Sequence, residues 1–283
     1  MVNRLESAFS LPDDDSKEVV DRLVRFISSE FRRANADCLV VGLSGGLDSS
    51  VAAALSALAV GGLRVTGLSM PEAETYNQED VDDAGRVARK YGIRFRVHDI
   101  SRLEGAAKIL LGVGRRERIA WGNVKARLRA MICYYYANVS NGLVVGTGDK
   151  SELMLGYFTK YGDGASDIEP LGDLYKTSVR HLAVHLRLPR RIHLKKPTPN
   201  LWVGQTAERE LGLDYEKIDK ILWGLERWMT PDDIAKQLSL SLASVVKIQE
   251  RWLATEHKRR LPLTPKLGFR TVGIDFRLPR NPR

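Results

Sequence analysis

The sequence VVGLSGGLDSS, residues 40–50, joins an apolar run to an alanine-rich run through a turn of serine and glycine. The apolar residues 38–43 predict a buried strand, and a helix is predicted from about residue 48 to residue 58. A turn of this kind can aim several backbone N–H groups and the positive end of the helix at one anion. Its two glycines can adopt backbone angles closed to other residues, so a phosphate can approach closely. The stretch therefore predicts a phosphate-binding loop.

Side-chain oxygens add to this prediction. The serines of the stretch supply hydroxyl donors, and Asp48 stands at the helix start, where it can hold a cation that bridges phosphates. The pattern lacks the Gly-Lys-Ser/Thr ending of a Walker loop. It resembles instead the SGGxDS signature of the ATP pyrophosphatases, which cleave ATP between its α and β phosphates and transfer AMP. The alternative is an ordinary glycine-rich turn, which the full SGGLDSS string disfavours.

Strands alternate with helices through the first half of the chain. The strands are predicted at residues 38–43, 63–70, 93–98 and 143–146, and the helices at residues 16–33, 48–58, 77–91, 101–111 and 121–139. This alternation predicts an α/β fold, with a Rossmann-like parallel sheet flanked by helices and joined by right-handed crossovers. In such sheets ligands bind at the carboxyl ends of the strands, so residues 44–50, 70–76 and 147–152 are expected to converge on one site.

The second half is less regular. Residues 158–174 and 195–212 are rich in glycine, aspartate or proline and predict two long loops, on either side of a helix at 177–186. Long loops in a compact domain are usually lids or binding segments. No clear linker divides the chain, so we expect a single domain over residues 1–283, with residues 213–283 as a helical C-terminal extension and basic tail.

Composition excludes several classes of protein. The chain of 283 residues is 43% hydrophobic and 28% charged, which describes an ordinary globular protein. No apolar run approaches membrane-spanning length, and the start has no secretory apolar region, so a cytoplasmic protein without membrane contact is expected. The two cysteines, Cys38 and Cys133, provide neither metal-ligand spacing nor a disulfide framework.

The net charge of +9 indicates attraction to polyanions, either nucleic acid or small polyphosphate substrates. Basic residues concentrate at 257–260 and 270–283. A helical pair predicted at residues 231–246, together with this tail, would suggest a DNA-binding regulator. Its second helix offers few base-facing side chains, chiefly Lys247 and Gln249. Small polyphosphates are therefore favoured over nucleic acid as partners.

Several further segments, taken in order, resemble the NAD synthetase family from about residue 20 to residue 275. They are NVKARLR at 123–129, GTGDKSE at 146–152, GYFTKYGDGASD at 156–167, Lys176, KPT at 196–198 and EHKR at 256–259. The SGGxDS loop is shared by many relatives, whereas the TKYGDG segment is far more specific. The resemblance implies a fold of the adenine nucleotide alpha hydrolase type. It also implies a ligase that amidates deamido-NAD with ammonia through an adenylated intermediate, releasing AMP and pyrophosphate.

The resemblance and the motifs together give an expected site. ATP, the cosubstrate, is expected at Gly42, Leu43, Ser44, Gly45, Gly46, Leu47, Asp48, Ser49, Met70, Thr147, Lys176 and Thr198. The resemblance places deamido-NAD at Arg127, Lys160, Asp167, His257 and Lys258. It also implies a homodimer.

Two acidic residues and one lysine have expected chemical roles. Asp48 and Glu152 follow neighbouring strands and could clamp Mg²⁺, which prefers oxygen ligands. Lys176 can act as a point charge that neutralises the leaving pyrophosphate. Asp163, in the TKYGDG segment, is the candidate that binds ammonium or accepts its proton.

Other functions remain open on sequence alone. An enzyme of the same ATP class could amidate a different nucleotide or modify tRNA, and a sensor could hold ATP without chemistry. For the nitrogen source, glutamine-dependent relatives fuse an amidase domain that carries a catalytic cysteine. Neither Cys38 nor Cys133 stands in a setting that suits a nucleophile. Free ammonia, or ammonia from a separate subunit, is therefore expected.

Overall fold

The computed structural model describes residues 13–114, 117–272 and 275. Much of the predicted basic tail, residues 273–274 and 276–283, lies outside the described residues. The sheet has four parallel strands in the order β3-β2-β1-β4. The strands are β1 Cys38–Gly42, β2 Val65–Ser69, β3 Arg94–Val97 and β4 Gly142–Val145. The predicted parallel α/β fold is therefore confirmed.

Helices cover both faces of this sheet and continue beyond it. They are α1 Asp13–Arg33, α2 Leu47–Val60, α3 Gln78–Tyr91, α4 Ser101–Leu111, α5 Arg118–Val139, α6 Lys150–Leu155, α7 Lys176–His185, α8 Arg190–His193, α9 Ala207–Leu211, α10 Tyr215–Glu226, α11 Pro231–Leu238, α12 Leu242–Ala254 and α13 Glu256–Arg259. Within the described ranges, no helix is both long enough and apolar enough to cross a membrane.

The central strand β1 is buried because both faces of the sheet are covered. Leu39 and Val41 pack into the main core with α1, α2 and α7, whereas Cys38 and Val40 pack with α5 on the opposite face. The alanine-rich helix α2 is buried along most of its length, since its small side chains allow α1 and α7 to approach closely. This packing fixes the start of α2 directly after the carboxyl end of β1.

The helices after residue 213 form a second core with α6. Met154 and Leu155 of α6 pack with Ile218 and Leu222 of α10 and with neighbouring apolar residues of α11 and α12. The predicted helical pair at 231–246 is thus present as α11 and α12, and its apolar side chains serve this core. The organisation as one domain with a helical extension stays a prediction.

Some predicted boundaries differ from the observed ones. Helix α1 spans Asp13–Arg33 and thus includes residues before the predicted start at residue 16, and Ser16 is a buried residue within it. Strand β2 begins two residues late because Gly62–Arg64 form a 3₁₀ turn. The short helix α9 lies inside the loop predicted for 195–212.

Candidate active site

The Ser-Gly-Gly turn connects β1 to α2. Gly45 has a φ of +78°, and a Cβ atom there would lie 2.1 Å from the carbonyl oxygen of Asp80 in α3. The Gly45 carbonyl oxygen accepts a hydrogen bond from Lys195 Nζ at 2.9 Å. Lys195 pairs in turn with Asp80 at 2.5 Å and with Asp83 at 2.8 Å. Only glycine fits at position 45, and the turn is held from outside by Lys195.

The start of α2 is suited to an anion. Its N-cap is Gly46, so no N-cap side chain competes for the N–H groups of the first turn. The serine hydroxyls stabilise the turn, since Ser44 Oγ lies 3.0 Å from Ser49 Oγ and Ser50 Oγ donates to the Gly46 carbonyl oxygen at 2.6 Å. A phosphate at this helix end would meet N–H donors and the positive end of the helix dipole.

A buried ammonium group lies beside this turn. Lys176 is the first residue of α7, and its side chain is only 1% exposed. Its Nζ lies 2.9 Å from Asp48 Oδ2, 2.9 Å from Asp149 Oδ2 and 2.8 Å from Glu152 Oε1. We call these four residues the carboxylate cage. The cage joins α2, α6 and α7 at the carboxyl edge of the sheet.

Charge in the cage is unbalanced, because three carboxylates face one ammonium group. Burial raises the pKa of Asp149 and of Glu152, and the neighbouring carboxylates add to the rise although Lys176 opposes it. Burial also lowers the pKa of Lys176, but the three carboxylates outweigh this effect and raise it well above its usual value. Lys176 is therefore charged, and the surplus of acidic groups around it favours binding of either a proton or a further cation.

Two carboxylates of the cage are oxygen ligands of the kind that Mg²⁺ prefers. Among the described residues, Asp48 Oδ1 is buried without a hydrogen-bond partner, and Glu152 shares the same ammonium group. Mg²⁺ binds through one or two carboxylates together with waters and substrate phosphates. No group of three His, Cys, Asp or Glu side chains in the described part of the chain could hold a metal by itself. The phosphate contact predicted for Lys176 stays a prediction, since its short contacts go to carboxylates.

The TKYGDG segment folds into a tight turn next to the cage. Asp163 Oδ1 accepts a hydrogen bond from the Thr159 N–H at 2.8 Å. Asp163 and Glu152 line a cavity of about 30 Å³ together with Thr147 and Glu169. A cavity of this size holds a single water-sized molecule, and its carboxylates favour a small cation.

Glu169 is a cavity residue that the sequence did not suggest. Its Oε1 accepts a hydrogen bond from the Gly148 N–H at 2.6 Å, and its Oε2 accepts one from Ser166 Oγ at 2.9 Å. Burial raises the pKa of Glu169 to about 7. Through these two hydrogen bonds, Glu169 orders the loop after β4, where the predicted ATP residue Thr147 lies.

The residues predicted to bind deamido-NAD are close to one another. Arg127 of α5 donates to the Lys160 carbonyl oxygen at 3.3 Å, and Lys160 Nζ donates to the His257 carbonyl oxygen at 2.7 Å. Lys258 Nζ donates to the Gly156 and Phe158 carbonyl oxygens at 2.7 and 2.8 Å. Four of the five predicted residues thus come together from α5, the TKYGDG segment and α13.

The fifth predicted residue, Asp167, also makes hydrogen bonds within the fold. Its Oδ2 accepts a hydrogen bond from the Val144 N–H of β4 at 2.7 Å, and Tyr134 donates to its Oδ1 at 3.3 Å. Thr198 is similarly occupied within its own loop, where its Oγ1 donates to the Gln205 carbonyl oxygen at 2.7 Å. Contacts of either residue with a substrate stay predictions.

A second buried lysine joins the loop after β2 to the loop that carries Thr198. Lys125 of α5 is completely buried, and its Nζ donates to Glu72 at 2.9 Å, to Glu74 at 2.7 Å and to the Leu201 carbonyl oxygen at 3.1 Å. The predicted ATP residue Met70 precedes this loop, and its carbonyl oxygen accepts a hydrogen bond from Arg129 Nε at 3.2 Å. Two of the predicted binding loops are therefore tied to α5.

Residues 19–262 match the NAD synthase family model. The chain belongs to the NAD synthase family. It is 43% identical over 256 residues to an NH(3)-dependent NAD(+) synthetase of Hyperthermus butylicus, over 90% of this chain and 92% of that one. The family resemblance inferred from the motifs is therefore confirmed.

Solved structures of the NAD synthase family share the fold. An NMN synthetase from Francisella tularensis aligns with a TM-score of 0.79 and 35% identity, over 89% of this chain and 99% of that chain. An NH3-dependent NAD synthetase from Campylobacter jejuni aligns with a TM-score of 0.75 and 28% identity over the same shares of the two chains.

The candidate site contains charged residues that sequence reasoning missed. Asp149, Lys195, Lys125 and Glu169 all make short contacts inside it. Only Asp149 had a recognisable signal, because the spacing to Glu152 is that of a capping box, and both reciprocal hydrogen bonds of such a box are present. The others are single charged residues whose partners are distant in sequence.

Proposed function

We propose that this chain amidates deamido-NAD with ammonia, using ATP and releasing NAD, AMP and pyrophosphate. The observation that carries the proposal is the carboxylate cage beside the anion-binding start of α2. A nucleotide phosphate at that helix end would lie next to Asp48 and Glu152. Family membership adds support, since the Hyperthermus butylicus relative is named for this activity.

The first step joins the substrates. A carboxylate oxygen of deamido-NAD attacks the α-phosphorus of ATP, the bond between that phosphorus and the bridging oxygen breaks, and pyrophosphate leaves. The N–H groups of the α2 start and the Ser44 hydroxyl would hold the phosphates in line for attack. Asp48 and Glu152 would hold Mg²⁺, which neutralises phosphate charge when bound. Positioning and electrostatic stabilisation supply most of the catalysis, so no protein nucleophile is required.

The second step forms the amide. The nitrogen of ammonia attacks the adenylated carbonyl carbon, the carbon–oxygen bond to AMP breaks, and the nitrogen loses a proton. Ammonium must also lose a proton before it becomes nucleophilic. Asp163, which lines the small cavity beside the cage, would bind ammonium or accept that proton.

We propose free ammonia as the nitrogen source, because neither cysteine suits the nucleophile of a glutamine amidase. Cys38 and Cys133 are both buried and unpaired. Burial raises the pKa of the Cys133 thiol to about 12, so almost none of it is the thiolate that a glutamine amidase needs. We also propose that the protein acts in the cytoplasm and does not bind nucleic acid, which would assign its basic surplus to polyphosphate substrates.

Product analysis tests the proposed reaction. With ATP, Mg²⁺, ammonium and deamido-NAD, we expect NAD, AMP and pyrophosphate in equal amounts, because the predicted cleavage lies between the α and β phosphates. Products can be quantified by ion-exchange chromatography. Formation of ADP and phosphate would contradict the proposal, and a reaction without ammonium would contradict the nitrogen source.

NMN synthesis is a second candidate, because the aligned Francisella tularensis structure is that of an NMN synthetase. The same two steps would then act on the mononucleotide acid. A competition assay with equal concentrations of the dinucleotide and mononucleotide acids separates the candidates. We expect NAD to form in excess, and an excess of NMN would favour the second candidate.

Arg127 provides a test of the deamido-NAD site. Arg127→Ala should raise the KM for deamido-NAD about 10- to 100-fold and change the KM for ATP less than about threefold, since an arginine remote from the reacting atoms contributes binding shared by ground and transition states. Initial rates measured with each substrate varied in turn give both values. An effect on ATP alone would move Arg127 to the nucleotide site.

We propose a homodimer formed through α4 and α5. Met131, Tyr135 and Val139 recur every four residues on α5 and are each more than half exposed, and Ile109 and Leu110 on α4 are 85% exposed. Such apolar surface usually marks an interface.

Light scattering after size-exclusion chromatography tests this interface. The wild type should have twice the mass of one chain, and the pair Met131→Glu and Tyr135→Glu should have the mass of one chain, because two charges cannot be buried unpaired. Val184→Glu is the control, since Val184 is exposed to a similar degree on α7. A monomeric wild type would contradict the proposal.

A further inference from the structure

We propose that Asp219 of α10 is a positioning residue that fixes the geometry of the carboxylate cage from the C-terminal helical layer. The inference deepens the proposed function and rests on it. Asp219 contacts none of the cage carboxylates, and it acts through the backbone that carries Glu152 and Lys176.

The hydrogen bonds of Asp219 connect three helices. Asp219 is completely buried, and its Oδ1 accepts a hydrogen bond from Ser151 Oγ of α6 at 2.5 Å. Its Oδ2 accepts two bonds at 2.9 Å, from the N–H and from the hydroxyl of Thr177 in α7. Ser151 Oγ in turn accepts the N–H of Lys176 at 3.0 Å. One carboxylate therefore holds α6 and α7 together.

These bonds are placed directly beside the cage. Ser151 precedes Glu152 in sequence, and Thr177 follows Lys176. The first N–H groups of a helix have no partner within the helix. In α7, Asp219 accepts the N–H of Thr177 directly and is linked to the N–H of Lys176 through Ser151. Bonds to an ionised carboxylate are about twice as strong as neutral ones, so the two backbone segments are firmly set.

A second residue of α10 supports the same assignment. Tyr215 lies one helical turn before Asp219, on the same face of α10. Its ring is buried, and Lys176 Nζ lies 5.2 Å from the ring centroid. The face of the ring attracts the ammonium group and adds no further charge to its surroundings. Helix α10 therefore supports Lys176 at two points. Asp219 acts on its backbone N–H through Ser151, and the Tyr215 ring contacts its ammonium group.

The conservative variant Asp219→Asn tests the proposal. The amide keeps the volume but removes the charge. Its NH₂ group either faces Thr177 and loses the bond from the Thr177 N–H, or faces Ser151 and reverses that bond, so the charge-assisted bonds are replaced by weaker neutral ones. We expect a loss of about 10²-fold in kcat/KM for ATP, because displacements of about 1 Å in a catalytic site cost this much. The KM for deamido-NAD should change less than about twofold. ATP affinity, measured by isothermal titration calorimetry, should fall together with kcat/KM.

Asp214→Ala is the matched control, because alanine removes the N-cap acceptor that asparagine would keep. Asp214 is the N-cap of the same helix, and its Oδ1 accepts the Lys217 N–H at 2.9 Å, but it has no bond to α6 or α7. This variant should lose helix stability and keep the KM for ATP. If it lowers kcat/KM for ATP as much as Asp219→Asn does, general stability of α10 explains the effect and the proposal is wrong.

Ser151→Ala keeps the proposal testable should Asp219→Asn fail to fold. It removes only the bridging hydroxyl, and it should lower kcat/KM for ATP about 10-fold with the KM for deamido-NAD unchanged. In the double variant the two effects should not add, because both substitutions break one network. Additive effects, or equal changes in both KM values, would overturn the assignment. Failure of the proposed function would appear separately, as absence of NAD formation by the wild type.

Discussion

Replacing Lys176 by Met is expected to abolish turnover and to lower the free energy of unfolding by about 3–5 kcal/mol at neutral pH. Methionine keeps the length of the side chain but leaves Asp48, Asp149 and Glu152 facing one another without their cation. Removing one partner of a buried ion pair is costly because it leaves uncompensated buried charge. Urea unfolding followed by circular dichroism measures the stability, and the product assay measures turnover.

The pH dependence of this loss has a definite sign. In the variant, the folded-state pKa values of Asp149 and Glu152, which burial already raises, rise further above the values in the unfolded chain. The folded state then binds more protons, so the destabilisation is present above the unfolded-state pKa values and shrinks as pH falls towards about 4. A difference between variant and wild type that stays constant from neutral to acidic pH would contradict the charge imbalance described for the cage.

Lys150→Met is the matched control for Lys176→Met. Lys150 begins α6 and pairs with Asp173 at 3.0 Å and with Glu226 at 2.8 Å, but Asp173 is almost fully exposed and Glu226 is one-third exposed. Exposed ion pairs contribute about 1 kcal/mol or less. We therefore expect a small change in stability and normal turnover. An equal loss from both lysines would show that the buried cage has no special role.

Asp48→Asn should lower kcat by a factor on the order of 10²–10³ while the fold is kept. The substitution preserves volume and removes the charged oxygen that would hold Mg²⁺, and single charge-stabilising groups typically contribute this much. Stability should be unchanged or higher, because Lys176 keeps two carboxylate partners and the surplus negative charge falls. This combination separates a functional role from a structural one.

A magnesium titration of kcat and thermal melting of the same preparations provide the measurements for Asp48→Asn. Glu152→Gln is expected to behave in the same way. If either variant keeps wild-type kcat and wild-type dependence on Mg²⁺, the altered residue is not a ligand. Asp173→Asn, which changes a surface carboxylate near α6, controls for the overall change in charge and should leave both measurements unaltered.

The fold was predictable because its signals are local. An apolar run followed by a glycine turn and an alanine-rich run predicts a buried strand and a buried helix. Strand β1 and helix α2 confirm this prediction. Three loops were expected at one edge because parallel strands end at the same edge. Starts of elements were less predictable, as β2 shows, since Gly62–Arg64 form a 3₁₀ turn before it.

Part of the membership of the candidate site was predictable from the sequence, and its pairings were not. Asp48, Glu152 and Lys176 were all expected, but their contact depends on residues 128 positions apart in sequence. Pattern reasoning assigned Lys176 to phosphate because a lone lysine gives no sign of its partners. Lys195 and Lys125 gave no sign of burial, since their neighbours in sequence are polar or belong to a long helix. Tertiary packing alone determines which charges meet.

The buried bridge at Lys125 limits how this family member can be re-engineered. Because its ammonium group binds both the 72–74 segment and the Leu201 carbonyl oxygen, the two loops form one linked module. Thr75 strengthens the module with a hydrogen bond of 3.1 Å to the Asn200 carbonyl oxygen. A graft that exchanges only one of these loops would leave the buried Lys125 ammonium group without part of its partners. Chimeras with altered substrate preference should therefore exchange both loops together and retain the lysine.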